Sequence, residues 1–288
     1  MCEDPEPKIN LPQHDSFTSA RPAQPRALGD GGVVVTRGAS GKTQLKDLRQ
    51  AGSTKVVFPQ NHSTSLEAII VNTAGGITGG DRFTLKARAN TGAALTLTTQ
   101  AAERAYRAQT GEVGRVNTTL SVASGARMNW LPQELILFEN CALQRKLSVA
   151  LADGAEFLMV EPVVFGRTAM AETLHQIRFH DRIAITRNDK PVYLDGMDMV
   201  GDAAALMARP GIAGGANAMA SLLLVRPDAA AQIATLRKML PPTAGVSMIA
   251  DDVLVMRHLA TDSFTLRRDL VPVLDHLTND SLPISWRL

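Results

Sequence analysis

A motif that recurs three times limits how this chain can fold. A polar turn carrying Gly-Ala leads into a short run of alternating apolar residues at positions 91–97 (TGAALTL), 124–130 (SGARMNW) and 153–159 (DGAEFLM). Gly92 and Gly125 are 33 residues apart, and Gly125 and Gly154 are 29 apart. Each run ends in amide or carboxylate residues: Gln100, then Gln133 and Glu134, then Glu161. Repeats of this size imply supersecondary units that cover one another's open faces. Glycine in the turn supplies a backbone conformation that other residues resist. The same turn chemistry would also serve a simple run of hairpins, but the flanking strands match in length, which favours stacking.

The surrounding sequence has period two. Phe83, Leu85 and Ala87 alternate with Arg82, Thr84 and Lys86, and Leu147, Val149 and Leu151 alternate with Lys146, Ser148 and Ala150. This pattern, with turn residues every 8–12 positions or so, predicts half-buried antiparallel strands. The last third changes character. Ile233, Leu236 and Leu240 have helical spacing between Asp228 and Pro241. Residues 246–249 and 253–256 read as a hairpin. Asp262 can cap a helix to about Leu277 whose buried side carries Phe264, Leu266, Leu270, Val273 and Leu274. Residues 206–220, rich in Gly and Ala, carry no clear pattern. The expected fold is mainly β, with stacked antiparallel β units (β-helix-like or sandwich) and two C-terminal α-helices. A polar, proline-containing tail over residues 1–28 precedes one β-rich domain over 29–288. The tail reads as disordered, and neither signal peptide nor membrane anchor is expected.

Bulk properties narrow the function. A net charge of +2 creates no strong field toward nucleic acid or membrane, and 4% aromatic residues leave little for base stacking. Two cysteines, Cys2 and Cys141, make no disulfide framework and fit a reducing, cytoplasmic setting. The histidines form no metal-ligand spacing, and no nucleophile elbow occurs. Residues 38–43 (GASGKT) approach a phosphate-binding loop, but that loop requires glycine at position 36, where this chain has Thr36, and a helix afterwards. A nucleotide-binding enzyme is therefore the alternative reading, and a hairpin turn the simpler one. The glycine cluster Gly75, Gly76, Gly79 and Gly80, followed by Asp81, has the wrong spacing for a dinucleotide site and runs into a strand pattern. It reads as a loop that approaches another surface closely.

Six blocks in order carry a resemblance: residues 72–81 (NTAGGITGGD), 98–107 (TTQAAERAYR), 130–139 (WLPQELILFE), 166–172 (GRTAMAE), 252–257 (DVLVMR) and 283–286 (PISW). Together they resemble the UreD (UreH) family of urease accessory proteins over residues 31–288. The long polar N-terminal segment and Ser285 depart from the family's pattern. The resemblance implies a non-enzymatic, cytoplasmic scaffold that binds the apo-urease subunits (UreABC) and recruits UreF and the GTPase UreG. It implies nickel in transit, donated indirectly by UreE, and no tightly bound cofactor. It also points to Asp81, Glu161 and Asp195, with Glu103 as a weaker candidate, as acidic residues along an internal nickel route. The repeat independently sets Glu161 in register with Gln133 and Glu134. Residues 207–219 and the C-terminal helix are the expected apolar docking surfaces.

Overall fold

The computed structural model describes residues 24–60, 63–167 and 170–287. Two sheets face each other. The first contains β1 (Leu28–Arg37), β2 (Thr43–Gly52), β5 (Arg82–Ala89), β8 (Gly114–Val122), β11 (Ala142–Leu151), β13 (Ile177–Arg187) and β14 (Lys190–Gly201), in the order β14-β13-β11-β8-β5-β1-β2. The main path of the second contains β3 (Thr54–Val57), β4 (Leu66–Asn72), β6 (Ala94–Thr99), β9 (Arg127–Leu131), β12 (Glu156–Phe165), β15 (Ala218–Val225), β16 (Ala244–Ala250) and β17 (Val253–Ala260). Its order is β16-β17-β15-β12-β9-β6-β4-β3. The short strands β7 (Glu103–Ala105) and β10 (Leu135–Leu137) extend it beside the end of β12.

The threefold motif is what stacks. Ala94 pairs with Arg127, and Arg127 with Glu156, so the run after each Gly-Ala turn lies on the next in register. Gly92, Gly125 and Gly154 share φ values of 69°, 66° and 68°. That left-handed conformation is the reason the turn needs glycine. The chain crosses from one sheet to the other at each of these turns and returns through the corner that follows.

Antiparallel pairing between the units is corrected by the structure: β5, β8, β11 and β13 pair in parallel, as do β4, β6, β9 and β12. A coil that always advances the same way must lay each strand parallel to its predecessor. Alternation has the same period in both arrangements, so the pattern alone did not distinguish them. Antiparallel pairs are confined to the two ends of the stack.

Helix α2 (Ala229–Met239) and helix α3 (Ser263–Thr278) cover the outer face of the second sheet. Strands β12 and β15 are therefore buried on both faces, which explains their near-continuous apolar sequences. The Asp262 carboxylate caps α3 by accepting from the Thr265 N–H at 2.7 Å. Phe264, expected on the buried side, is 75% exposed because the buried stripe runs through Leu266, Leu270, Val273 and Leu274. A third, short helix α1 (Ala203–Met207), turns and the start of β15 fill the unpatterned segment. Met207 and Met219, expected at a docking surface, are buried, whereas Ile212 is exposed. None of the helices described is long and apolar enough to cross a membrane.

The end of the chain locks onto the repeats. Trp286 is 1% exposed, and its indole N–H donates to the Leu131 carbonyl at 2.9 Å. Arg267 stacks over that ring and donates to Gln133 Oε1 at 2.6 Å and to the Ser285 carbonyl at 2.9 Å. Residues 24–28, at the end of the expected tail, are also tied down: Arg26 pairs with Glu112, Ala27 bonds Asp81, and Leu28 opens β1. Residues 1–23 lie outside the described residues. Replacing Trp286 with Ala should lower the unfolding free energy by about 3–5 kcal/mol, the usual cost of emptying an aromatic core position. Urea denaturation of Trp286→Ala and Trp286→Phe checks this, with the Phe variant keeping most of the lost stability.

Candidate functional site

The ladder of the second sheet is broken in two of the three repeats, whereas β12 runs through unbroken. Strand β6 stops at Thr99 and β7 starts at Glu103; β9 stops at Leu131 and β10 starts at Leu135. Pro132 lies in one of these gaps, and Pro162 in β12 lies beside it. Proline has no N–H to give to a ladder, so pairing lapses there. The lapse leaves a cavity of about 320 Å³ lined by Thr99, Ala102, Glu103, Trp130, Gln133 and Glu161, with Arg145 opposite. It lies between two apolar clusters. One contains Leu95, Leu97 and Val149, and the other Leu137, Leu143 and Phe179.

A charged seam crosses the core at this level. Arg145 sits at an inward position of β11, between Leu143 and Leu147. Asp181 holds the paired inward position of β13. Glu161 projects inward from β12 on the opposite sheet. Arg145 Nη2 and Nε lie 2.5 Å and 3.0 Å from the two Asp181 oxygens, and Nη1 lies 2.5 Å from Glu161 Oε2. The indole N–H of Trp130 donates to Glu161 Oε1 at 2.6 Å. Beyond the triad is a second cavity of about 20 Å³, lined by Arg145, Glu161, Asp181, Asp195 and Arg257. That volume is close to what one water needs. Asp195 accepts there from Arg257 Nη2 at 2.6 Å and from the Tyr193 hydroxyl at 2.8 Å.

The electrostatics follow from burial and pairing. Burial pushes the Glu161 carboxyl above the ordinary range, against the pull of Arg145. Glu103 is raised for the same reason, with Asn72 Nδ2 donating to it at 3.1 Å in partial opposition. Burial opposes the charge on Arg145, but the Asp181 and Glu161 carboxylates more than offset this and hold the guanidinium above its usual value. Burial and the Asp195 carboxylate push the Tyr193 hydroxyl up to about 12. Burial likewise pushes the Cys141 thiol up to about 12. A thiol so far from ionisation is a poor nucleophile and a poor metal ligand.

The expected acids are therefore placed unequally. Glu103 and Glu161 line the large cavity, and Glu161 and Asp195 line the small one. Asp81 lines neither: its two oxygens accept from the N–H groups of Ala27 and Thr78, both at 2.8 Å. It thus pins the glycine loop, whose Gly75 and Ile77 do reach the large cavity. Gly76 is needed for closeness, since a Cβ there would fall 2.2 Å from the Tyr106 ring; Gly79 and Gly80 similarly pack against Glu112 and Arg26. Gln133 shares the large cavity with Glu161, as the repeat register implied, but Glu134 turns instead to Arg267. Arg145 and Asp181 escaped the sequence reading. The available signal was a charge at an inward slot, in the series Leu143-Arg145-Leu147 and Phe179-Asp181-Ile183.

Among the described residues no three or more His, Cys, Asp or Glu side chains gather as a metal site. Residues 38–42 form the turn between β1 and β2, and Thr43 opens β2. The Gly41 N–H donates to the Gly38 carbonyl and the Gly38 N–H to the Lys42 carbonyl. A strand follows, not a helix, so the dipole and free amides that a phosphate loop uses are missing, which overturns the nucleotide-binding alternative.

A sequence model of the UreD urease accessory protein family matches residues 30–286. Proteins named urease accessory protein UreD are similar along most of their length. One from Roseobacter denitrificans is 51% identical over 265 residues, 92% of this chain and 96% of the relative. One from Ruegeria pomeroyi is 53% identical over 244 residues, 85% and 95% of the two chains. One from Rhizobium etli is 41% identical over 272 residues, 94% and 98%.

The role of Asp81 is checked by stability. Asp81→Ala leaves two N–H groups without their acceptor and should cost roughly 2–4 kcal/mol, while Asp81→Asn, which keeps one acceptor, should cost less. Denaturant midpoints of the two variants give the comparison.

Proposed function

We propose a scaffold and cation-passage role for this chain, which belongs to the UreD urease accessory protein family. The chain holds apo-urease, recruits UreF and the GTPase UreG, and lets nickel donated through UreE pass into the urease active site. It performs no catalysis itself; nucleotide hydrolysis belongs to UreG. The setting is the cytoplasm, where UreG finds GTP.

The observation that carries this reading is the pair of cavities that share Glu161 and Arg145 in their walls. A divalent cation crossing an apolar interior needs oxygen donors at intervals, few enough at each stop to release it. Glu103, Glu161 and Asp195 are spaced along the two cavities in this way. Each of the three holds hydrogen bonds or an ion pair that a passing cation would have to replace. Asp81 serves the route indirectly by fixing the loop that forms part of its wall. The exposed side chains Phe264 and Ile284, near the locked C-terminus, give the scaffold apolar surface for a partner.

Filling the large cavity should stop passage without stopping assembly. Ala102→Trp should still co-purify with UreF, UreG and apo-urease, while nickel-dependent urease activation falls by about tenfold or more, given the steric cost of an overpacked cavity. Full activation by a folded, co-purifying variant would exclude this route.

A further inference from the structure

We propose that Arg145 is a displaceable counter-cation: its guanidinium occupies a two-carboxylate metal station, formed by Glu161 and Asp181, and yields it to a divalent cation in transit. This inference rests on the passage reading and names the gate within it. Arg145 and Glu161 are the two charged residues that line both cavities. The guanidinium therefore stands where a cation moving from the large space to the small one must go.

The chemistry of the seam fits an exchange of cations. Two carboxylates from facing sheets converge on one positive group. Glu161 Oε2 is buried and faces Arg145 Nη1 at 2.5 Å, so the guanidinium fills the position from which a cation would meet that oxygen. The other oxygen is fixed by Trp130, so the carboxylate keeps its orientation when the guanidinium leaves. On the far side Asp195 is neutralised in the same fashion by Arg257, and that pair is nearer to solvent. Arg104 and Lys146 also line the large cavity, but both are exposed. The large cavity beside Arg145 provides room for the displaced side chain.

A tethered competitor has a definite consequence. It is present at high effective concentration, so the station binds metal weakly and returns to its closed state once the ion moves on. It also neutralises buried carboxylates that would otherwise trap a divalent ion. Removing the competitor should convert a stop on the route into a binding site. The metal would gain the two carboxylates and complete its shell with water from the adjoining cavity.

The test is nickel titration of the full chain by calorimetry. Arg145→Met should bind one Ni²⁺ roughly tenfold or more tightly than the unsubstituted chain, since it leaves two buried charges without their partner. Adding Glu161→Gln and Asp181→Asn to that variant should abolish the gain. Should Arg145→Met unfold in the absence of metal, Ni²⁺ must restore its circular dichroism and thermal transition. The proposal is overturned by a folded Arg145→Met with unchanged affinity, by a gain that survives in the triple variant, or by an unfolded variant that Ni²⁺ does not rescue. Blocking the cavity at Ala102 leaves Arg145 in place, so failure of the passage reading and failure of the gate give different results.

Discussion

One guanidinium joins the two sheets of this protein at a point where an apolar contact would be expected. Arg145 reaches across the core from β11 to Glu161 on β12 and along its own sheet to Asp181 on β13. Burying three charges is costly, and a hydrophobic replacement of equal volume is often as stable or more so. Loss of a single member is different: it leaves a buried charge unpaired, at about 3–5 kcal/mol. The arrangement is therefore a poor choice for stability alone. It is intelligible as a polar seam kept open between two apolar clusters, at the level where the strand ladder lapses.

The lapse and the seam have a common origin in the coil. In the first two repeats the second-sheet strand is broken at residues 100–102 and 132–134, before the chain returns to the first sheet, and the ladder is interrupted there. Space opens behind those breaks. The residues that face it come from successive repeats, so Glu103, Gln133 and Glu161 gather although they are far apart in sequence. The C-terminal turn closes the same region from outside: Trp286 and Arg267 hold the corner at Leu131 and Gln133. Stacking, cavity and terminal lock are thus parts of a single construction.

Much of this was legible in the sequence. The Gly-Ala turns announced the stack, Asp262 and Pro241 marked helix ends, and the glycine-rich loop announced a close approach. Parallel pairing was not legible, because alternation is indifferent to strand direction. Nor was the placement of Phe264, since a helix of this length offers more apolar positions than its buried stripe uses. At the site, Glu161 followed from the repeat, whereas its partner Arg145 required knowing which strand of the other sheet lies opposite. Asp195 meets Arg257, 62 residues away, through the order of the strands and no local signal. The resemblance pointed to Asp81 as a route acid; its two oxygens instead accept from the glycine loop and from the incoming chain.

Passage of the ion through the large cavity is tested most directly by placing a removable obstacle inside it. A chain carrying Ala102→Cys and Cys2→Ser, with the remaining Cys141 buried, is treated with a methanethiosulfonate reagent and assembled with its partners. Nickel-dependent urease activation should fall upon modification and return when a reductant removes the adduct. Undiminished activation with the cysteine fully modified would contradict the account.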